Sequence, residues 1–250
     1  MKDLSMGRAF EYRKASKLKR WGAMSKLFPK LGNVITMAAK AGSPDPDMNP
    51  TLRTAILNAK AQNMPKHNIE AAIKRAQGKD AADIKEIHYE AKGPYGVQLI
   101  IDCATDNGTR TVANVKATLV RNKAEMLTSG SLNFMFTQKS VFTFYKTENM
   151  DIEELELELI DAGLEEIEET VEPQEEGEDK AIIKIFGEFA AFGDLNKALE
   201  EMNIEVKSAK HERIANTPID LTDEQMEEVD ILIDKLEDDE DVQAVYTNIN

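Results

Sequence analysis

Basic side chains are concentrated in the first 80 residues of this sequence, where their charge could neutralise phosphate groups. These residues include sixteen Lys and Arg and six Asp and Glu, a net charge of +10, whereas the rest of the chain has a net charge of −25. Such a surface releases counterions and positions a protein on nucleic acid without reading its sequence. The candidate phosphate contacts are Arg8, Arg13, Lys14, Lys17, Lys19, Arg20, Lys26, Lys30, Arg53, Lys60, Lys66, Lys74 and Arg75.

The net charge of the whole sequence, −15, argues against nucleic-acid binding when it is considered alone. Screening changes that conclusion, because the Debye length is about 8 Å at physiological salt. A compact body of this length has a radius of gyration of roughly 18 Å. Most of the acidic charge can therefore lie beyond the screening distance, and we predict that the N-terminal region acts as a basic module.

The spacing of the basic residues suits helical surfaces. Arg13, Lys14 and Lys17 follow one another closely, and Arg53 and Lys60 are seven residues apart, which places them on one side of a helix. Each residue taken singly also fits an ordinary solvated surface, so the excess of positive charge carries the prediction. The aromatic residues Phe10 and Trp21 could stack on bases or pack in a core.

Residues that could support catalysis or bind a metal are scattered. His67, His88 and His211 have no metal-ligand spacing, and the single cysteine, Cys103, lies in an apolar run typical of a buried strand. The sequence contains no Ser/His/Asp order, phosphate-binding glycine loop or dinucleotide motif. We therefore predict a protein that is not an enzyme and that has no catalytic residues, metal or cofactor.

The elements that carry the basic residues are predicted to be helical throughout residues 1–80. Apolar residues recur with a helical period before Gly42, which is expected to end the first helix. Asn49 followed by Pro50 is typical of an N-cap and the first helical position. A third helix is expected after Pro65, with Gly78 at its end. A basic arm followed by three helices is the predicted N-terminal domain.

After residue 84 the apolar period changes from helical to alternating. Residues 87–90 and 97–101 are predicted strands, joined by a turn at residues 93–96, and a helix follows over residues 111–123. Phe134 and Phe136 are assigned to the next strand region. Residues 141–214 then have the order strand, helix, strand, strand, helix, strand, which is the split βαβ or ferredoxin-like arrangement.

The element order predicts an α+β fold with three domains. The expected domains are a basic helical domain over residues 1–80, a discontinuous α+β domain over residues 81–137 plus 215–250, and an inserted ferredoxin-like domain over residues 138–214. The flanking pieces of the discontinuous domain supply four strands and two helices, enough for a second α+β unit of the same kind. Two ferredoxin-like domains, one inserted in the other, are the predicted architecture.

A series of short motifs runs from residue 49 to residue 136. They are Asn49-Pro50, Leu52-Arg53, Ala55-Ile56, Ala59-Lys60-Ala61, Asn63-Met64-Pro65-Lys66, Asn68-Ile69, Ala72-Ile73-Lys74-Arg75, Tyr89-Glu90, Gly93-Pro94, Gly96-Val97, Thr105-Asp106-Asn107, Arg110-Thr111, Gly130-Ser131 and Met135-Phe136. These motifs resemble those of the YebC/PmpR family of probable transcriptional regulators. Residues 63–75 are the specific part, and the resemblance covers nearly the full length but weakens across residues 148–180.

The resemblance implies three domains and a cytoplasmic protein that binds DNA and regulates transcription. Some members of the family resemble ribosome-associated translation factors instead, so ribosomal RNA is a rival target. The chain departs from the family at Met6-Gly7-Arg8-Ala9-Phe10, where His-Ser-Lys-Trp-Ala is usual, and at Ala124-Glu125-Met126, which replaces a glycine pair. Pro29 is expected to interrupt the first helix.

The prediction is a non-enzymatic, cytoplasmic, DNA-binding transcriptional regulator whose partners are nucleic acid and the transcription machinery. One alternative is a translation factor that binds ribosomal RNA or the ribosome through the same residues. Another is an adaptor whose acidic domains bind a basic protein. No apolar run approaches the roughly 20 residues of a membrane span, so no membrane partner is expected. A monomer is favoured, with the oligomeric state left open.

Overall fold

The computed structural model describes residues 24–78, 83–172 and 180–250. Within these ranges the backbone forms seven α-helices and two four-stranded sheets, which confirms the predicted α+β class. The chain divides into two compact units. The first comprises the described residues up to Leu52, with Met64–Thr137 and Ile214–Asn250, and the second comprises Arg53–Asn63 and Gln138–Arg213. The boundaries of the three predicted domains stay a prediction.

From residue 24 onward, three helices precede the sheets: α1 (Met24–Ala41), α2 (Pro50–Ala61) and α3 (Lys66–Ala76). The prediction that Pro29 interrupts the first helix is wrong, because α1 continues through it. Proline removes one backbone hydrogen bond and crowds the preceding turn. The turns after Pro29 bury apolar side chains, among them Ile35, which is 0% exposed, and this burial offsets the local loss.

The loop before α2 is closed by the side chain of Asn49, which is buried. Its Oδ1 accepts a hydrogen bond from the Leu52 backbone N–H at 3.0 Å, which confirms the predicted N-cap. Its Nδ2 donates to the carbonyl oxygens of Ala38 at 2.9 Å and Ser43 at 2.7 Å. One amide therefore caps α2 and ties the loop back to the end of α1.

The sheet of the first unit has the strand order β3-β1-β2-β8. Its elements along the chain are β1 (Lys85–Lys92), β2 (Gln98–Thr105), α4 (Gly108–Arg121), β3 (Glu125–Met126), α7 (Asp223–Glu237) and β8 (Val242–Thr247). Strands β1 and β2 form the predicted antiparallel hairpin. Side chains from α4 and α7 pack with those of the sheet in one core, whose fully buried members include Leu99, Ile101, Val115, Leu119, Val229 and Leu232.

A smaller apolar cluster in the same unit contains Ile100, Leu132 and Phe136. The sequence predicts a strand at Phe134, and this prediction is wrong. Phe134 lies in the loop before β4. The chain turns there, with the Met135 N–H bonded to the Leu132 oxygen at 2.9 Å. The turn leaves 74% of the Phe134 side chain exposed.

The sheet of the second unit has the order β5-β6-β4-β7. Its elements are β4 (Phe136–Tyr145), α5 (Ile152–Ile160), β5 (Leu164–Glu172), β6 (Lys180–Glu188), α6 (Phe192–Glu201) and β7 (Val206–Ala215). This element order is the predicted split βαβ arrangement. The helices α5 and α6 contribute Leu159 and Leu195, both 0% exposed, to a core that they share with Phe142, Phe144, Ile183 and Ile185.

Candidate nucleic-acid interface

The structure describes seven of the thirteen basic residues predicted to contact phosphate. Arg8, Arg13, Lys14, Lys17, Lys19 and Arg20 lie outside the described residues, as do Phe10 and Trp21. The described residues fall into two groups. Lys26, Lys30 and Arg75 contact groups of the first unit, and the second group consists of the exposed residues Arg53, Lys60, Lys66 and Lys74 on α2 and α3.

Lys26 and Lys30, one turn apart on α1, reach the carboxyl end of α7. The Nζ of Lys26 lies 2.8 Å from Oδ1 of Asp238, and the Nζ of Lys30 donates to the backbone oxygen of Glu237 at 2.5 Å. The last carbonyl groups of a helix have no partner within the helix and carry a partial negative charge. The two ammonium groups therefore neutralise the end of α7.

Lys30 is the more buried of this pair, and burial lowers the pKa of its ammonium group. The nearby carboxylates of Glu237, Asp239 and Asp238 act in the opposite direction and favour the charged form. This carbonyl and these carboxylates lie where a phosphate oxygen would have to bind. Lys30 is thus engaged inside the first unit.

Arg75 joins α3 to α1. Its Nε and Nη2 donate to Oγ1 of Thr36 at 3.2 and 3.0 Å. Thr36 is 1% exposed, and its hydroxyl lies 2.8 Å from the oxygen of Gly32 and 3.1 Å from that of Ala72. A side chain at Gly32 would place its Cβ 3.2 Å from Nη2 of Arg75. The guanidinium therefore packs over a glycine and completes the hydrogen bonding of a buried hydroxyl.

The remaining four residues keep their charges at the surface. Arg53 and Lys60 lie two turns apart on α2, and Lys66 and Lys74 lie eight residues apart on α3. Between the latter two, Glu70 approaches Lys66 at 3.7 Å, with side-chain exposures of 64% and 90%. A pair this exposed contributes little and is readily exchanged for another anion. These positions can therefore neutralise phosphate.

A cleft of about 320 Å³ in the first unit is lined by two arginines, Arg75 and Arg110. The lining also includes three carboxylates, those of Asp106, Glu240 and Asp241. Arg110 already pairs with Asp241, through Nη2 to Oδ1 at 2.9 Å and Nε to Oδ2 at 3.2 Å. Since the carboxylates outnumber the guanidinium groups, the cleft does not offer a phosphate a net positive site.

Sequence reasoning missed the roles of Asp241 and of residues 237–239. The sequence shows these residues only as part of an acidic run near the C-terminus. In the structure they form hydrogen bonds or ion pairs with Lys26, Lys30 and Arg110. The signal that could have indicated the ion pair is Arg110 itself, one of the motif residues. Its partner is 131 residues further along the chain, and no local pattern indicates it.

The described residues also include side chains of the types that act as nucleophiles or bind metals. Cys103 is 2% exposed in β2, and burial, with the nearby Asp239 carboxylate, raises the pKa of its thiol to about 12. The protonated thiol is a poor nucleophile at neutral pH. His88 lies 2.8 Å from Asp102 through Nδ1. In the described ranges, no three His, Cys, Asp or Glu side chains are placed to hold a metal ion. The helices in those ranges include none with the length and apolar character needed to cross a bilayer.

Comparison with family models and with a solved structure identifies the architecture. The model of the TACO1/YebC protein N-terminal domain matches residues 8–79, and that of the TACO1/YebC second and third domain matches residues 84–249. The crystal structure of a conserved hypothetical protein from Aquifex aeolicus superposes with a TM-score of 0.74 at 29% identity, covering 91% of this chain and 90% of the other. Both comparisons extend over nearly the whole chain.

Bacterial relatives match over almost the full sequence. A protein of Sulfurovum sp. (strain NBC37-1) is 74% identical over 245 residues, and one of Sulfurimonas denitrificans is 64% identical over 244 residues. In each case 98% of this chain and all of the relative are covered, and each relative is named a probable transcriptional regulatory protein. Together with the two domain models, these matches confirm the resemblance seen in the sequence, and the chain belongs to the TACO1/YebC family.

Proposed function

We propose that this protein regulates gene expression by binding nucleic acid, with DNA as the first candidate target. The names of its relatives, which describe them as probable transcriptional regulatory proteins, support a regulatory role. The observation that carries the proposal is the exposure of Arg53, Lys60, Lys66 and Lys74 on short helices within a segment of net charge +10. Phosphate contacts of this kind give affinity and register, and they do not give base specificity.

The basic residues divide into two roles in this proposal. The exposed side chains of α2 and α3, together with the six N-terminal residues from Arg8 to Arg20, contact phosphates. Lys30 and Arg75 hold α1 and α3 in place through Glu237 and Thr36, whereas Lys26 forms a surface pair with Asp238, with side-chain exposures of 50% and 62%, and can exchange this carboxylate for a phosphate. The protein therefore acts by binding, in the cytoplasm, and no step of its action requires catalysis.

The experiment that tests the proposal is the salt dependence of binding to labelled duplex DNA, measured by fluorescence anisotropy. The affinity should fall steeply as salt rises, with a slope of about −0.9 per phosphate contact in a plot of log affinity against log salt. The double variant Lys66→Ala/Lys74→Ala should reduce the magnitude of that slope by about 2 and weaken binding equally for unrelated sequences. A slope that is the same in the wild type and the double variant would refute the assigned surface.

A matched control is Lys197→Ala on α6, where the side chain is 74% exposed and pairs loosely with Glu201 at 3.7 Å. It removes one exposed positive charge from outside the basic segment. Its effect on the slope should be negligible. If Lys197→Ala reduced the affinity as much as a single replacement at Lys66, net charge would explain the binding.

Ribosomal RNA as the target is distinguished by sedimentation of a cell extract through a sucrose gradient at low and moderate salt. Co-migration of the protein with ribosomes that is lost in the Lys66→Ala/Lys74→Ala variant would assign the same surface to ribosomal RNA. Co-migration that is unaffected by the double variant would point to the acidic domains as a protein-binding adaptor. Absence from the ribosomal fractions, with DNA binding retained, supports the DNA target.

A further inference from the structure

The loop between β3 and β4 presents an aromatic ring to solvent. Phe134 is 74% exposed, whereas the apolar residues two positions before and after it, Leu132 and Phe136, are 4% and 7% exposed. These two neighbours pack with Ile100 and fix the loop on both sides of the ring. A single exposed apolar side chain is common at protein surfaces, so exposure by itself does not identify a contact. The fixed backbone on both sides of the ring is the feature that singles out this position.

The loop is held in place by a buried carboxylate. Glu90 is only 7% exposed, and its two carboxylate oxygens accept hydrogen bonds from the backbone N–H groups of Gly130 at 2.6 Å and Leu132 at 2.7 Å. Gly130 has a φ of +91°, which a residue with a side chain rarely adopts. Burying a carboxylate is costly unless such charge-assisted bonds compensate it. The fold thus uses a charged group and a glycine to shape this loop.

A second anchor fixes the backbone at the ring itself. The side-chain Nδ2 of Asn216 donates to the backbone oxygen of Phe134 at 3.0 Å. The backbone N–H of Asn216 donates to the backbone oxygen of Met135 at 2.8 Å. The hydroxyl of Thr137 donates to Oδ1 of Asn216 at 2.6 Å. A backbone that is ordered before binding loses little conformational freedom when a partner arrives. The loop that carries the Phe134 ring is therefore preorganised for a contact.

The chemistry around the ring differs from that of the basic helices. Residues 127–138 include no charged side chain, although 31% of the residues in the chain are charged. The exposed amide of Asn133 can hydrogen-bond to the edge of a base, and the Ser131 hydroxyl, which donates to the Thr128 oxygen at 2.6 Å, can still accept a hydrogen bond. Stacking of an unpaired base on an aromatic ring, with hydrogen bonds to its edges, is a recurrent mode of binding single-stranded nucleic acid.

A protein partner fits this surface less well than a base does. The core of a protein interface needs a contiguous apolar area. Here the exposed ring of Phe134 follows two exposed polar residues, Ser131 and Asn133, and its apolar neighbours in the sequence, Leu132 and Phe136, are buried. A nucleobase offers one face of matching size with polar edges around it. The surroundings of the ring therefore favour a base.

We propose that Phe134 stacks on an unpaired nucleobase of the bound nucleic acid and so supplies a base contact separate from the phosphate contacts. This proposal rests on the proposed function, because it assumes that the chain binds nucleic acid. It adds a preference for single-stranded or flipped-out nucleotides over a continuous duplex. A duplex that keeps its bases stacked offers no face to the ring.

The test is the affinity of the full chain for labelled single strands of about 12 nucleotides, RNA and DNA of one mixed sequence, each also prepared with abasic sites. Phe134→Ala should weaken binding to the intact RNA strand, the DNA strand or both by roughly 5- to 150-fold, the range expected for loss of one stacked base. Phe134→Trp should restore the affinity, and Phe134→Leu should not. The abasic strands should bind the wild type and Phe134→Ala equally.

The control is Leu157→Ala on α5, where the side chain is 73% exposed and apolar but not aromatic. It should leave every affinity unchanged. Since Phe134 is mostly exposed, its variants should keep the thermal midpoint of the wild type, and this measurement confirms that they fold. An equal loss in Phe134→Ala for intact and abasic strands would overturn the proposal, as would full restoration by Phe134→Leu, which would indicate a simple apolar contact.

The failure of this proposal is distinguishable from failure of the proposed function. If the wild type binds in a salt-dependent manner and Lys66→Ala/Lys74→Ala weakens that binding, but Phe134→Ala does not, only the stacking contact is overturned. If the wild type binds neither duplex nor single strands at low salt, the proposed function is overturned and the stacking contact falls with it. Loss of binding in both sets of variants supports both.

Discussion

The side-chain amide of Asn58 hydrogen-bonds both backbone groups of Ala209 in the second unit. Nδ2 donates to the Ala209 oxygen at 2.7 Å, and Oδ1 accepts from the Ala209 N–H at 3.0 Å. Strand β7 is at one edge of its sheet, where backbone groups lack a neighbouring strand. Asn58 takes the place of such a strand at one residue and so attaches α2, which also carries Arg53 and Lys60, to that edge.

Replacing Asn58 by alanine should loosen this attachment. Both hydrogen bonds are lost and two backbone groups of Ala209 lose their partner, so we expect the free energy of unfolding to fall by roughly 1–3 kcal/mol. Asn58→Asp should also destabilise the protein, since its carboxylate would face the Ala209 oxygen. Hydrogen exchange of the α2 amides, with Thr51→Ala as an exposed control on the same helix, measures the effect. Unchanged exchange in Asn58→Ala would contradict the assigned role.

Local signals predicted the ends of elements well. The Asn49 cap and the β1–β2 hairpin follow from residue types within a few positions of one another, and both are present. The pairing of Asn58 with Ala209 could not be predicted, because the two residues are 151 positions apart. The residues around an asparagine in the middle of a helix do not indicate which distant backbone groups its side chain will bind.

The candidate nucleic-acid interface could likewise be predicted only in part, because some of its contacts join residues that are far apart in the sequence. Charge counting identified the basic segment, but it cannot separate Lys30, which binds the end of α7, from Lys74, which is exposed. That distinction depends on residues 237–239, more than 200 positions away. The sequence predicts that Phe134, with Phe136, belongs to a strand region. The hydrogen bonds that hold this segment as a loop come from Glu90 and Asn216, and both residues are far from the loop in the sequence.

Acid should weaken the second unit through Glu212. Burial alone would raise the pKa of this carboxyl, but Lys210 and Lys184, at 2.8 and 3.3 Å, outweigh it and lower the pKa from 4.5 to about 2. A lowered folded pKa gives stability that is complete above pH 4.5 and is lost as the pH falls toward 2. The contribution is on the order of 3 kcal/mol.

Urea denaturation of the wild type and Glu212→Gln between pH 2 and pH 7 measures this contribution. The difference in the free energy of unfolding should be constant above about pH 5 and should shrink as the pH falls through 4 toward 2. Glu201→Gln is the control, because its carboxylate is 68% exposed and lies 3.7 Å from Lys197. A difference that stays constant down to pH 2 for Glu212→Gln would show that its ionisation does not stabilise the fold.

Asp241 should be important for the stability of the first unit. Its carboxylate is buried and accepts hydrogen bonds from Arg110 Nη2 at 2.9 Å and from the Thr111 hydroxyl at 2.8 Å. Asp241→Asn should lower the free energy of unfolding by roughly 1–3 kcal/mol, because the amide cannot accept as many bonds and Arg110 loses the buried one of its two carboxylate partners. Thermal denaturation measures the effect.

The matched control for that variant uses the other partner of Arg110. Asp106 pairs with the same Nη2 at 3.1 Å, but 48% of its side chain is exposed, so Asp106→Asn should cost less than about 1 kcal/mol. Equal destabilisation by the two variants would mean that burial of Asp241 adds nothing to the ion pair.

The division of the basic residues into two roles predicts opposite behaviour for Lys30 and Lys74. Lys30→Ala removes the hydrogen bond to the Glu237 oxygen and should lower the free energy of unfolding by about 1 kcal/mol, with little effect on the salt dependence of DNA binding. Lys74→Ala removes an exposed charge, so stability should be unchanged while the slope against log salt decreases in magnitude by about 1. Thermal midpoints and anisotropy titrations on the same preparations separate the two effects. If Lys30→Ala flattened the slope as much as Lys74→Ala did, Lys30 would have to leave the end of α7 and contact phosphate in the complex.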